Sequence, residues 1–165
     1  MLSKVGPNED NRCLVFSQTK RGCDSLCRSL NQFGYKAMAI HGDKSQQERD
    51  MVLNQFRTGR SPIMVATDVA ARGLDVKHVK TVINFDFPSC CEDYVHRIGR
   101  TGRAGAKGTA YSFFTQANAR QGKELIKLLE QNEQHVPEAL RSMSYSARKS
   151  LFRRTQFRMR TINSI

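Results

Sequence analysis

Short apolar runs alternate with helix-patterned stretches about five times along this chain, and that alternation limits the fold more than any other feature. The runs are Cys13-Leu14-Val15-Phe16, Lys36 to Ile40, Ile63-Met64-Val65-Ala66, Thr81 to Phe85 and Thr109 to Phe114. Each is too short for a buried helix and is bounded by turn or cap residues, as buried strands are. Between them lie amphipathic patterns. Cys23, Leu26, Leu30 and Phe33 recur at helical spacing, and Thr19 can cap the helix they predict. Ser45-Gln46-Gln47-Glu48 is a capping-box pattern opening a helix to about Thr58. Pro88-Ser89, with Glu92 three residues on, predicts a further helix towards Ile98, and Leu125, Ile126, Leu128 and Leu129 mark another. Pro137 to Met143 adds a turn or two. Strand–helix alternation with short connections predicts an α/β domain, a three-layer α/β/α arrangement around a mainly parallel sheet.

In such sheets ligands bind beyond the carboxyl ends of the strands. The connections expected there are Ser17–Thr19, His41–Lys44, Thr67–Asp75 and Asp86–Pro88. A second dense feature follows the helix ending near Ile98. His96-Arg97-Ile98-Gly99-Arg100-Thr101-Gly102-Arg103 puts three arginines and two glycines in eight residues. Arginine is planar and permanently charged, so it matches phosphate oxygens. We expect this octet to reach the same sheet edge, with Arg100 and Arg103 facing solvent.

Charge agrees with a polyanionic partner. The 165 residues carry a formal net charge of +12. Residues 1–140 hold 20 Lys/Arg against 15 Asp/Glu, whereas residues 141–165 hold seven basic residues and no acid. We therefore expect one folded domain over 1–140 and a basic C-terminal extension over 141–165. Three readings of the extension stay open, an arm for a polyanion, a segment that packs on the domain or binds a partner, and a plain disordered linker. A mean hydropathy of −0.55 and the lack of an apolar span argue against a membrane protein. Five cysteines without a CxxC pair, and no secretory pattern in residues 1–11, predict reduced thiols and an intracellular protein, in the nucleus, the cytoplasm or both. Cys23 and Cys27 share a helix face, where packing is the expected role. No zinc-ligand spacing is present, and no metal ligands are expected.

Four ordered segments together resemble the DEAD-box ATP-dependent RNA helicases. Leu14-Val15-Phe16-Ser17-Gln18-Thr19 is similar to their motif IV, Gln46-Gln47-Glu48-Arg49 to the QxxR motif, Ala71-Arg72-Gly73-Leu74-Asp75 after Ala66-Thr67-Asp68 to motif V, and the octet to motif VI. The likeness covers roughly residues 10–135. It implies the second, C-terminal RecA-like lobe of a two-lobe enzyme. On that resemblance Arg100 and Arg103 act on the γ-phosphate of ATP as arginine fingers. His96, counted with the two fingers as catalytic, and Arg97, counted among the nucleotide contacts, couple nucleotide state to lobe closure. Gly73 and Asp75 meet the ribose, and Arg72 either does so or forms an internal ion pair. RNA backbone is expected at Gln18, Thr19, Gly42, Arg49, Thr67 and Asp68, with little sequence readout.

No G-x-x-x-x-G-K-[ST] and no Asp-Glu-Ala-Asp occur in the chain. Most contacts to ATP and its Mg²⁺ would therefore come from an N-terminal RecA-like lobe, and the 165 residues alone should hydrolyse ATP negligibly. The partners implied are RNA, that lobe and possible protein cofactors, with no membrane. A non-catalytic RNA-binding or scaffold module is the competing reading.

Overall fold

The computed structural model describes residues 11–72, 74, 76, 79–103, 105–146 and 157–163, the last seven by their backbone. In chain order the elements are β1 (Arg12–Phe16), α1 (Lys20–Gln32), β2 (Ala37–Ile40), α2 (Gln46–Arg57), β3 (Ile63–Ala66), the single-turn α3 (Asp68–Ala71), β4 (Val79–Asn84), α4 (Cys91–Ile98), β5 (Gly108–Phe114), a 3₁₀ turn (Gln116–Gln121), α5 (Gly122–Gln131), α6 (Glu138–Ser146) and β6 (Phe157–Asn163). The strands form one sheet in the order β2-β3-β1-β4-β5-β6. β1 to β5 run parallel, and β1 sits at the centre with Val15 opposite Val65 on one side and Ile83 on the other.

Successive strand residues point to opposite faces, and the two faces have separate cores. Leu14 and Phe16 pack with Ile40, Met64 and Val82 against Val52 and Phe56 of α2. Cys13 and Val15 pack with Ile63, Val65 and Ile83 against Cys23 and Leu30 of α1. The expected three layers follow from this division. A third cluster joins Tyr94 of α4 and Phe114 of β5 to Leu125, Leu129, Leu140 and Met143 of α5 and α6. α6 thus crosses residues 140 and 141 without a break in packing. Cys23 is fully buried, and Cys27 donates its thiol to the Ala37 carbonyl at 3.2 Å.

Local signals set two helix starts as expected. Thr19 accepts from Gly22 N at 3.0 Å. The Ser45 box closes in both directions, Ser45 N donating to Glu48 Oε2 at 2.7 Å and Glu48 N to Ser45 Oγ at 3.3 Å. The start expected at Pro88-Ser89 is corrected. α4 begins two residues later, with Cys90 at the cap position making no side-chain cap bond. Gln121 Nε2 donates to the Ser89 carbonyl at 3.1 Å, the oxygen that would accept the first intrahelical bond if Ser89 were the cap.

Of the basic extension, Arg141 pairs with Glu130 at 2.7 Å. Residues 157–163 join the sheet as β6, antiparallel to β5, with Phe114 opposite Phe157 and Gly108 opposite Asn163. Arg148, Lys149, Leu151, Phe152, Arg153 and Arg154 lie outside the described residues.

Candidate functional site

All five parallel strands end on one edge, which gathers the first set of candidates. Leaving β1, Ser17 Oγ and Gln18 N both donate to Asp86 Oδ2 at 2.8 Å, so the acid after β4 clamps this connection. Gln18 and Thr19 are exposed beside it. Leaving β3, Thr67 is buried at the cap position of α3 but makes no cap bond with its hydroxyl. Leaving β2, His41 is buried and Gly42 exposed. Gly42 does not have positive φ, and a Cβ there would come no closer than 3.8 Å to its nearest neighbour, Lys20. Among the described residues nothing requires glycine at that position. Arg49, in the first turn of α2, has a buried Nε with no hydrogen-bond partner among the described residues.

The octet is arranged differently from the expectation. α4 carries His96 exposed and Arg97 inward, only 2% accessible. Arg97 makes a forked pair with Asp68, Nε to Oδ1 and Nη2 to Oδ2, both at 2.6 Å. Its Nη1 donates to the Asp86 carbonyl at 2.7 Å, and the guanidinium lies 5.0 Å from the Phe16 ring centroid. Bidentate geometry and the aromatic face below make this an arginine held by protein. Arg97, expected among nucleotide contacts, is thus placed inside the lobe. Asp68, expected at RNA, has both oxygens on Arg97.

The rest of the octet descends along the sheet to the opposite end of β4. Thr101 is buried and its hydroxyl donates to the Val79 carbonyl, at the first residue of that strand, at 2.5 Å. Gly108 packs against this turn so closely that a Cβ there would lie 2.2 Å from Thr101 Oγ1 and 2.4 Å from Gly102 N. Arg97 reaches the carboxyl edge by its side chain, and His96 and Arg100 share an open depression with Phe16 and Asp68 of that edge. Arg103 is exposed, as expected, with Nε on the Gly99 carbonyl at 2.6 Å. Arg100, expected in solvent, is half-buried, and its nearest acceptor is the Leu74 carbonyl at 3.5 Å. Burial and then the neighbouring Arg103 push its pKa below the usual guanidinium value. Among the described residues neither arginine has a carboxylate partner. Arg100 and His96 line an open depression with Ala71, Arg72, Asp93 and the Arg97–Asp68 pair. Arg72 takes the ion-pair alternative, meeting Asp93 at 3.0 Å. Hydrogen bonding from Cys90 and Arg72 outweighs burial and holds the Asp93 carboxyl below its usual value. Gly73 and Asp75 lie outside the described residues.

The chain as a whole, in sequence and in fold, has counterparts among known proteins. Residues 1–105 match the helicase conserved C-terminal domain. The chain belongs to that family, in its DEAD-box branch. It is 64% identical over 138 residues to DEAD-box ATP-dependent RNA helicase 20 of Arabidopsis thaliana, covering 84% of this chain and 28% of that protein. Its fold is similar to the yeast DEAD-box splicing factor Prp28, with a TM-score of 0.78, 37% identity, and coverage of 91% of this chain and 34% of that one. It is also similar to the C-terminal domain of the DEAD-box protein Dbp5, with a TM-score of 0.65, 31% identity, and coverage of 90% and 87%. The chain spans about a quarter of the length of the curated relatives it matches.

Two acids of this DEAD-box lobe carry roles that sequence reasoning missed, Asp86 within a connection it had placed at the edge and Asp24 outside every candidate stretch. Asp86 holds the Ser17-Gln18 connection with its carboxylate and Arg97 with its carbonyl. A lone acid directly after an apolar strand was the available signal. Asp24 of α1 meets His41 and Lys44, across 17 and 20 positions, and no local pattern announces such a pairing. Among the described residues no helix is long and apolar enough to cross a membrane.

Proposed function

We propose that this lobe works in an ATP-dependent RNA helicase, supplying the cationic wall of an ATP site shared with an N-terminal RecA-like lobe and gripping RNA backbone with its carboxyl edge. The observation that carries the nucleotide half is the state of Arg100 and Arg103. Two fixed positive charges stand together, with no carboxylate partner among the described residues, on a turn fastened by Thr101 and Gly108. Such a pair fits a phosphate group. ATP supplies the phosphoryl group to be transferred, and its Mg²⁺ would be held mainly by the other lobe. The arginines place charge where it accumulates on the transferred group, and an arginine finger is worth about 10³–10⁵ in rate. Gly73 and Asp75 complete the ribose side.

Gln18, Thr19, Gly42, Arg49 and Thr67 hold the sugar–phosphate chain, and the open approach at Gly42 and the unpaired Nε of Arg49 support this half. Asp68 acts through Arg97 and not on RNA directly. The pair ties the RNA edge to the octet, so closing the lobes on ATP also fixes the grip on the strand. A strand bent by that grip cannot stay paired, which yields local duplex unwinding. His96, exposed beside Arg100, meets the other lobe on closure.

The test is RNA-stimulated ATP hydrolysis by this lobe fused to a DEAD-box N-terminal lobe. Arg100→Ala should lower kcat by about 10³ while RNA binding is retained. A loss of less than about tenfold would remove Arg100 from the phosphoryl-transfer site and favour a non-catalytic module. The 165 residues alone should show no RNA-stimulated hydrolysis.

A further inference from the structure

Asp24 stands apart from every motif, yet it holds the connection that carries Gly42. It lies on α1, and its two oxygens serve two ends of one turn. His41 Nε2 meets Oδ2 at 3.1 Å and Lys44 Nζ meets Oδ1 at 3.3 Å. The turn closes on itself through Lys44 N to the His41 carbonyl at 3.1 Å. It then runs into the Ser45 cap of α2, one turn before Arg49. His41 is 3% accessible and its Nδ1 is buried without a partner, so Asp24 is the ring's one anchor among the described residues. Burial opposes ionisation of Asp24, but the bonds from His41 and Lys44 outweigh it and keep the carboxyl below its usual value. Lys20 also pairs with Asp43 in the same turn, but both groups are largely exposed, and such pairs restrain little.

We propose that Asp24 is a positioning residue for RNA: by gripping His41 and Lys44 from α1 it fixes Gly42 and the first turn of α2 in the attitude that receives the sugar–phosphate backbone. The inference rests on the RNA half of the reading above. It adds a residue that acts through two neighbours, His41 and Lys44. Without the carboxylate, the 41–44 turn loses the bond to its buried imidazole and its firmest tie to α1. The backbone at Gly42 and the Arg49 guanidinium then sample positions that RNA must select among, which raises the RNA concentration needed without changing the chemistry after binding.

The experiment titrates a uridine homopolymer into the two-lobe fusion and follows ATP hydrolysis for the parent, Asp24→Ala, Asp24→Asn and Arg49→Ala, with the thermal midpoint of each. Asp24→Ala should raise KM for RNA about tenfold with kcat at saturating RNA changed less than about twofold. Asp24→Asn keeps an acceptor oxygen for one partner and should raise KM only about threefold. A merely structural acid would instead lower kcat and the midpoint together. Should Asp24→Ala fail to fold, Asp24→Asn carries the test, and an unchanged KM there overturns the proposal. If Arg49→Ala raises KM and neither Asp24 variant does, the positioning role is wrong and the RNA edge stands. If Arg49→Ala also leaves KM unchanged, the RNA edge itself is misassigned and this proposal goes with it.

Discussion

Arg97 and Arg100 stand three residues apart in one octet and have opposite fates. Arg97 ends the inward face of α4 and spends its donors on Asp68 and the Asp86 carbonyl. Arg100 follows the Gly99 cap, where the chain has left the helix, and finds one distant carbonyl. Sequence composition treats them alike. Packing makes the first a structural tie and leaves the second a charge looking outward. The difference teaches that a cationic motif should be divided by helix phase before roles are given to its members.

Substitution should break the pair apart most plainly. Arg97→Ala leaves Asp68 with an unpaired charge, and losing one partner of a buried pair costs about 3–5 kcal/mol. A midpoint drop of roughly 10 °C by calorimetry is expected, against less than about 2 °C for Arg100→Ala. Equal drops would erase the distinction. Gly108→Ala sharpens it next. Its Cβ would collide with Thr101 and Gly102, and overpacking of this kind costs about 1–3 kcal/mol. The displaced turn should cost the two-lobe protein more ATPase activity than stability, because it carries Arg100 and not Arg97. Ser45→Ala, far from both arginines, removes the α2 cap and should cost about 1 kcal/mol in urea unfolding, with octet function unchanged. Smallest of all, Lys20→Ala removes an exposed pair with Asp43 and should shift stability by less than about 0.5 kcal/mol.

Alkaline pH offers a background against which these shifts are measured. Burial pushes the Cys13 thiol up to about 12, Cys23 to about 11 and Cys91 to about 12, from an ordinary 9.0. Raised folded values mean that the unfolded chain loses these protons first. The contribution is therefore complete below pH 9 and should fade as pH rises towards 12, visible as a falling thermal midpoint. A midpoint flat from pH 8 to 10.5 would contradict the burial of all three.

The strands were legible because parallel strands covered by helices are largely apolar runs, buried throughout at β1 and β3 and mostly buried at β2, β4 and β5. Capping was legible at Thr19 and Ser45 because those bonds close within three residues. At Ser89 the same rule failed, and Gln121, 32 residues away, holds the carbonyl that a cap there would give to the first helical bond. The site divides along the same line. The motifs brought Gln18, Thr67, Gly42 and Arg100 into view. Asp24, Asp86 and the inward turn of Arg97 depend on partners 11 to 69 positions distant, and no local pattern encodes them. β6 had a signal, since Phe157-Arg158-Met159-Arg160 alternates in the manner of a strand, but the density of basic charge in that stretch masked it.

β6 also bears on how this lobe behaves among its own copies. An uncovered β5 would offer a row of free main-chain donors and acceptors running from Gly108 to Phe114, which is a template on which another chain can add a strand. β6 occupies that row in antiparallel register. A version cut after Ser146 would keep its helices and lose this seal. Its hazard would then be growth into oligomers by edge pairing, a matter of shelf life and yield rather than of nucleotide or RNA.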